Sequence, residues 1–318
     1  MLDCRSGSGP SPAFHSVHSG PIRFRGDRRY SGRVERDPGY FGPDSVSWRV
    51  HRELTVLFGG ARAILMQAAH PLVIAGARAT GFYENNPWKR LQRTLILTYA
   101  ITFGTKEQAH AAADRINDVH SRVSGIDPVT GLPYDALDPD LLLWVHACLV
   151  DSALLFEQLT VGLLDPAERE RFHQEQMLAA ELVRIPREII PPMVGDLRNY
   201  IDAVVASGAL QVTDAARGVA RLFDEPPRDA QWRPVLKAVS RLAFATSPGG
   251  LRDAYGIRSS RARTRAAFAT IRTLRPLLPP RLRYIGPYQA ALARIRGAEP
   301  PRDLDRLSRS IGIRLPQA

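Results

Sequence analysis

The sequence predicts an all-α protein, in which a single globular domain of many helices follows a flexible N-terminal arm. From Val46 nearly to the C-terminus, apolar residues recur at the three- to four-residue spacing of amphipathic helices. Proline-rich breaks at residues 190–192, 226–227 and 278–280 separate these segments, and we see no alternating strand pattern of useful length. We therefore expect an arm over residues 1–40, a domain over 41–300 and a C-terminal tail over 301–318.

The individual helices are predicted from polar or proline start signals and from glycine or proline stop signals. The first five span about 48–69, 86–104, 105–125, 138–162 and 165 onwards. Later helices are predicted at 193–206, shortly after 213, and at 230–245, 261–274 and 288–296. With 44% hydrophobic residues in 318, the chain can bury a large core.

The net charge is +11, and lysine occurs only at Lys89, Lys106 and Lys237, so the positive charge is almost all arginine. Such a balance attracts nucleic acids or acidic membranes. The interpretation we favour is that the arginines are scattered among Asp and Glu on solvated helix faces. The densest patch, Arg258–Arg265, lacks the surrounding three-helix pattern of a DNA-binding motif, so we expect no nucleic-acid partner.

Neither a membrane span nor an export signal is predicted. The longest apolar runs, such as Leu141–Val145, fall well short of the roughly 20 residues that cross a bilayer. The N-terminal residues lack the apolar core of a secretion signal, so we expect a cytoplasmic protein. Two cysteines, Cys4 and Cys148, are too few for a disulfide framework.

Residues 86–125 contain the most specific candidate site. Arg90, Arg93 and Thr94 have i, i+3 and i+4 spacing and share one side of a helix. On the next predicted helix, His120 shares a face with Ile116 and therefore points inward. These two helices could hold a flat cofactor between them, although a core histidine and an arginine salt bridge are the alternatives.

Three further residues are candidates for accessory roles. His70 lies at a predicted helix end, next to Pro71, where an imidazole is easily directed into a pocket. His146 lies among leucines on the fourth predicted helix, with Asp151 close by in the sequence.

Several segments together resemble one known family, that of the fungal MpaB oxygenases, which cleave prenyl chains, and the bacterial latex clearing proteins (rubber oxygenases). The resemblance runs from about residue 48 to about residue 295. It is carried by the order and spacing of GARAILMQAAHPLVIAG (60–76), RLQRT (90–94), FG (103–104), INDVHSRVSG (116–125) and LLLWVHACLVDS (141–152).

The resemblance implies an all-helical fold that holds haem b, with His120 as the proximal iron ligand. It places Arg90 and Thr94 in a motif needed for activity, and Arg93 where a lysine is common. We expect an oxygenase that uses O2 on an apolar small molecule, for which an isoprenoid-like compound is one option. The resemblance does not determine the source of electrons or the oligomeric state.

Some details of this haem hypothesis rest on general chemistry. The second ring nitrogen of His120 needs an acceptor, which Asn117 or a backbone carbonyl could supply. Gly59 and Gly60 could let the backbone approach the macrocycle closely. His70, His146 and Asp151 would support the cofactor, with His70 as a sixth ligand, a proton shuttle or a support for other ligands.

Two alternatives remain. A non-catalytic haem-binding protein would keep His120 but has no use for the Arg90 and Thr94 cluster. A di-iron carboxylate bundle would use Glu-x-x-His pairs, which occur at Glu107/His110 and Glu170/His173. Both pairs lie in polar surroundings, which solvated helix faces explain better.

Overall fold

The computed structural model describes residues 37–80, 87–225 and 233–298, and for residues 87–93 it describes the helix but not the side chains. The all-α class is confirmed, because helices make up nearly all of the regular structure in these ranges. Most of the predicted N-terminal arm, Asn86 at the predicted start of the second helix, and the predicted tail lie outside the described residues.

The helices, numbered along the chain, have the following bounds. They are α1 (Val46–His51), α2 (Leu54–Leu57), α3 (Gly59–Ala68), α4 (Pro71–Ala79), α5 (Pro87–Phe103), α6 (Lys106–His120), α7 (Pro139–Thr160), α8 (Pro166–Leu182), α9 (Val194–Ala206), α10 (Asp214–Asp224), α11 (Arg233–Ala245), α12 (Gly249–Ala254), α13 (Arg261–Leu274), α14 (Pro280–Arg283) and α15 (Gly286–Arg296). Single 3-10 turns occur at Arg187–Ile189 and Arg275–Leu277. Strands β1 (Ser124–Ile126) and β2 (Pro133–Asp135) pair antiparallel.

The first long helix that the sequence predicts is divided into α1, α2 and α3, so that prediction was wrong. Glu53 interrupts it with an extended backbone (φ −80°, ψ 120°) and forms an isolated bridge to Tyr284. The Glu53 carboxylate, 1% exposed, accepts two hydrogen bonds from the Arg275 guanidinium, one of them at 2.9 Å. A buried carboxylate needs such a partner, and Arg275 lies far away in the sequence.

The predicted third helix also ends early, at His120 rather than Gly125. Ser121 caps α6, and Gly125 belongs to β1, opposite Tyr134. A Cβ on Gly125 would lie 2.7 Å from the Tyr134 hydroxyl, so a larger residue here would have to displace the Tyr134 side chain. His120 is consequently the last residue of its helix, next to a turn.

The centre of the domain is the contact between α3 and α7. Gly59 makes it close, because a Cβ there would lie 2.9 Å from the Ser152 carbonyl oxygen and 3.0 Å from the Phe156 ring. Trp144 and Phe156 on α7 are each 1% exposed.

By length and composition α7 could span a bilayer, since it has 22 residues and a mean hydropathy of 1.5 over its most apolar part. However, 67% of that part is buried inside the protein, as in the core helix of a globular domain. The segments Leu54–Ala68 (α2 with α3) and Pro71–Ala79 (α4) also pass the same test when taken together. However, the chain bends by 103° at the break between them.

Candidate functional site

Helices α5 and α6 form an antiparallel hairpin, because only Gly104 and Thr105 connect them and they pack side by side. The beginning of α5 and the end of α6 therefore lie at the same end of the hairpin. This arrangement places the helical turn of Arg90 at the end that carries His120, with Arg93 and Thr94 about one turn nearer the middle of α5. The side chains of Arg90 and Arg93 lie outside the described part of the chain.

The seam between these helices is closed near the connection and opens toward His120. Near the connection, Ile101 on α5 and Ala113 on α6 are 5% and 2% exposed. Farther along α5, Leu97 is half-buried and Thr94 is exposed, and His120 on α6 is half-buried. The half of the seam farther from the connection thus includes the Thr94 hydroxyl, and the His120 imidazole lies beyond it at the end of α6.

Asn117, the predicted partner of the His120 ring, lies one turn before it and is 5% exposed. Its amide nitrogen donates to the Leu182 carbonyl oxygen at 3.0 Å, so the side chain fastens α6 to the end of α8. The amide oxygen is buried and has no hydrogen-bond partner among the described residues.

His70 lies at the sharp bend between α3 and α4, where it is the residue before Pro71. Its Nδ1 atom is buried and has no hydrogen-bond partner within the described ranges. Burial lowers the pKa of this imidazole, and the charge of Asp138 opposes that effect. Helix α4 packs against the turn that follows His120, since a Cβ on Gly76 would lie 3.5 Å from Val123.

His146 occupies a different place, on the side of α7 that faces α8. It is 8% exposed, its Nε2 atom has no described partner, and burial lowers its pKa to about 4, helped by the charge of His173. His173 itself hydrogen-bonds to the Pro191 carbonyl oxygen at 2.7 Å. The interaction described for His146 is thus with α8 rather than with α5 or α6.

Asp151 also has its own partner. A five-residue separation on a helix rotates it about 140° from His146, so the two do not share a face. Its carboxylate binds Arg62 of α3 at 2.8 Å, with side-chain exposures of 15% and 6%. Arg62 further donates to the Ser152 hydroxyl at 2.7 Å and to the Thr246 carbonyl oxygen at 3.2 Å.

Arg62 was missed by the sequence predictions, although a signal existed. It is the one charged residue in the α3 sequence GGARAILMQA, and Asp151 is a lone acid in an apolar part of α7. Single opposite charges within two apolar helices indicate a buried ion pair, because neither is stable in a core alone.

Gly59 is used in the contact with α7, as described above, whereas a Cβ on Gly60 would meet nothing within 4 Å. The predicted approach of Gly60 to a macrocycle stays a prediction.

Three of the four residues of the di-iron alternative have other partners. Glu170 accepts the backbone N–H of Val194 at 2.9 Å, and with His173 it fastens the segment before α9. His110 is exposed and hydrogen-bonds to the Tyr40 hydroxyl. Across the described residues, no three His, Cys, Asp or Glu side chains are grouped so that they could hold a metal ion.

Comparison with known proteins gives a family and two relatives. Residues 48–276, more than two thirds of the chain, match the family described as "ER-bound oxygenase mpaB/B'/Rubber oxygenase, catalytic domain". Uncharacterised proteins from Mycobacterium bovis and Mycobacterium tuberculosis are each 27% identical over 138 residues, which cover 42% of this chain and 53% of each relative. The chain thus spans about half the length of these relatives. No solved structure matches.

Proposed function

The chain belongs to this family of oxygenases, and from that premise we propose that it is a haem b-dependent enzyme that uses O2 to oxidise an apolar small molecule. An isoprenoid-like compound is the substrate class that the family suggests. The family supports an oxygenase in general; the haem, the substrate and the residue roles are our proposal. We also propose that the enzyme is located in the cytoplasm and that it receives electrons from an unidentified donor.

The observation that carries the proposal is the open seam between α5 and α6. A haem is flat and needs an accessible imidazole on one side, and the half-buried His120 at the end of α6 meets that requirement. On the facing helix, Thr94 is exposed as well. The residues present therefore fit the cofactor.

Each residue of the seam has a proposed task. His120 would hold the iron through a ring nitrogen, and bound haem would supply the redox chemistry that activates O2. Arg90 and Arg93, in the first two turns of α5, would bind the propionates or stabilise negative charge at the distal side. The Thr94 hydroxyl would donate or accept a hydrogen bond there.

His70 is the remaining candidate near the seam. Because burial favours its neutral form and its Nδ1 atom lacks a described partner, it is available to accept or pass a proton. His146 and Asp151 face α8 and Arg62, so we propose that they support the cofactor site only through the core.

The test is an absorption spectrum with haem quantitation on protein produced with a haem precursor. Wild-type protein should show a Soret band at about one haem per chain. H120G should lose the haem and regain it when free imidazole is added, whereas the exposed-histidine control H110G should keep it. Full haem in H120G without imidazole, or colourless wild-type protein after reconstitution, would contradict the assignment.

A second measurement separates an enzyme from a haem carrier. R90Q and T94V should retain the haem but bind cyanide more weakly, about tenfold for R90Q, because a charge-assisted hydrogen bond to the anion is lost. Unchanged cyanide affinity in both variants would favour the non-catalytic haem-binding alternative.

A further inference from the structure

Most of the net positive charge of the chain lies in one stretch of the sequence. Residues 254–298 contain ten arginines and no Asp or Glu, so this stretch carries +10 and the rest of the chain only +1 of the total +11. The prediction that the arginines are scattered among acidic residues was therefore wrong for this part of the sequence. Most of these arginines are exposed, and Arg275 is buried.

The same stretch contains a short segment with four exposed leucines, which we name the leucine tip (residues 274–282). Leu274, Leu277, Leu278 and Leu282 are 52%, 76%, 43% and 49% exposed. The prolines between them are also exposed. Single exposed leucines are ordinary, but four within nine residues form an apolar patch of the kind that marks an interaction site.

The leucine tip is joined to the core by a buried ion pair and lies next to a packed aromatic pair. Arg275, 7% exposed, lies within the tip and binds the buried carboxylate of Glu53. Just before the tip, Phe268 of α13 packs edge to face on Phe156 of α7, with ring centroids 5.6 Å apart. These contacts point the remaining tip side chains away from the core.

We propose that the leucine tip and its neighbouring arginines form a docking surface for an anionic lipid membrane. Exposed leucines would enter the boundary between headgroups and acyl chains, and arginines such as Arg281 would contact lipid phosphates. A nucleic acid would use the arginines but would leave the leucines in water. This inference is independent of the haem, and it would bring the enzyme to the phase in which apolar compounds dissolve.

The test is sedimentation of the full chain with vesicles. The protein should bind vesicles of equal parts phosphatidylglycerol and phosphatidylcholine, and should bind pure phosphatidylcholine much more weakly. The double variant L277S/L282S should reduce the affinity for the anionic vesicles at least tenfold, because two apolar side chains no longer enter the bilayer. L132S, which changes a leucine that is 55% exposed in the loop between β1 and β2, should have no effect.

A charge variant completes the design. R281Q should weaken binding about fivefold, while R171Q, at an exposed arginine on α8, should not. Failure to bind anionic vesicles, or equal binding by L277S/L282S and wild type, would overturn the proposal. Duplex DNA that displaces the vesicles and binds L277S/L282S as tightly as wild type would identify a nucleic-acid surface instead.

Discussion

Replacing Asp151 with Asn tests whether this residue supports the core or the cofactor. The carboxylate lies 2.8 Å from the Arg62 guanidinium, and both side chains are largely buried. The amide of Asn cannot neutralise Arg62, so D151N leaves a cation in the contact between α3 and α7. Arg62 keeps its bonds to Ser152 and Thr246, but neither of these partners carries a charge.

Breaking one partner of a buried ion pair costs about 3–5 kcal/mol. For a domain of this size, each kcal/mol lowers the unfolding temperature by about 2–4 °C, so D151N should unfold roughly 6–20 °C below wild type. The double variant R62M/D151L should recover most of this loss, since it removes both charges and keeps apolar volume in place.

Thermal unfolding followed by circular dichroism measures the change, and haem per folded chain is measured alongside. The control is E181Q, which breaks the exposed pair of Glu181 and Arg187 (35% and 54% exposed) and should cost less than about 1 kcal/mol. The reasoning is refuted if D151N unfolds within 2 °C of wild type, roughly the shift of a surface substitution. Loss of haem from folded D151N would instead place Asp151 at the cofactor.

Two further predictions concern packing and pH. Because burial lowers the pKa of His146 from 6.5 to about 4, its contribution to stability is present above pH 6.5 and lost as the pH falls to 4, about 3 kcal/mol in all. Urea unfolding should show a smaller loss between pH 7 and 4 in H146L than in wild type, and equal losses would contradict this. G59A should lower the unfolding free energy by about 1–3 kcal/mol, because its Cβ would strike the Ser152 carbonyl. G60A should be neutral or stabilising by up to about 1 kcal/mol, and an equal loss in both variants would exclude the close helix contact as the cause.

The helices were predictable wherever local chemistry determines them. A capping box of Thr105 and Gln108 begins α6 at the predicted position, and the Asp165-Pro166 start of α8 is equally local. Helix α13 spans Arg261–Leu274, the predicted range. In each case the signals lie within four residues of the helix end, so the local sequence is sufficient to locate that end.

The breaks that were missed depend on distant residues. Glu53 leaves the helical conformation and binds Arg275, 222 residues later, and no local signal identifies that partner. Gly125 belongs to a strand because Tyr134 lies across from it. Helix periodicity was also insufficient for His146, because it shows that a residue faces inward but not which neighbouring helix it meets.

The candidate site was predictable in part for the same reason. A two-residue connection makes α5 and α6 antiparallel, so the proximity of the Arg90 turn and His120 follows from their similar distances from the connection, 14 and 15 residues. The partners of His70, His146 and Asp151 come from other helices and required the structure.

Two buried ion pairs stabilise different parts of the molecule, so these parts can be perturbed separately. The pair of Arg62 and Asp151 joins α3 to α7, whereas the pair of Glu53 and Arg275 joins the chain before α2 to the leucine tip. His120 belongs to a helix that takes part in neither ion pair. The hairpin of α5 and α6 is attached to the rest of the domain by the packing of α5 and by the hydrogen bond from Asn117 to α8. A substitution at the leucine tip should therefore change membrane binding without changing haem content, and one at His120 should do the reverse. If both properties changed together in either variant, the two sites would be coupled through the core.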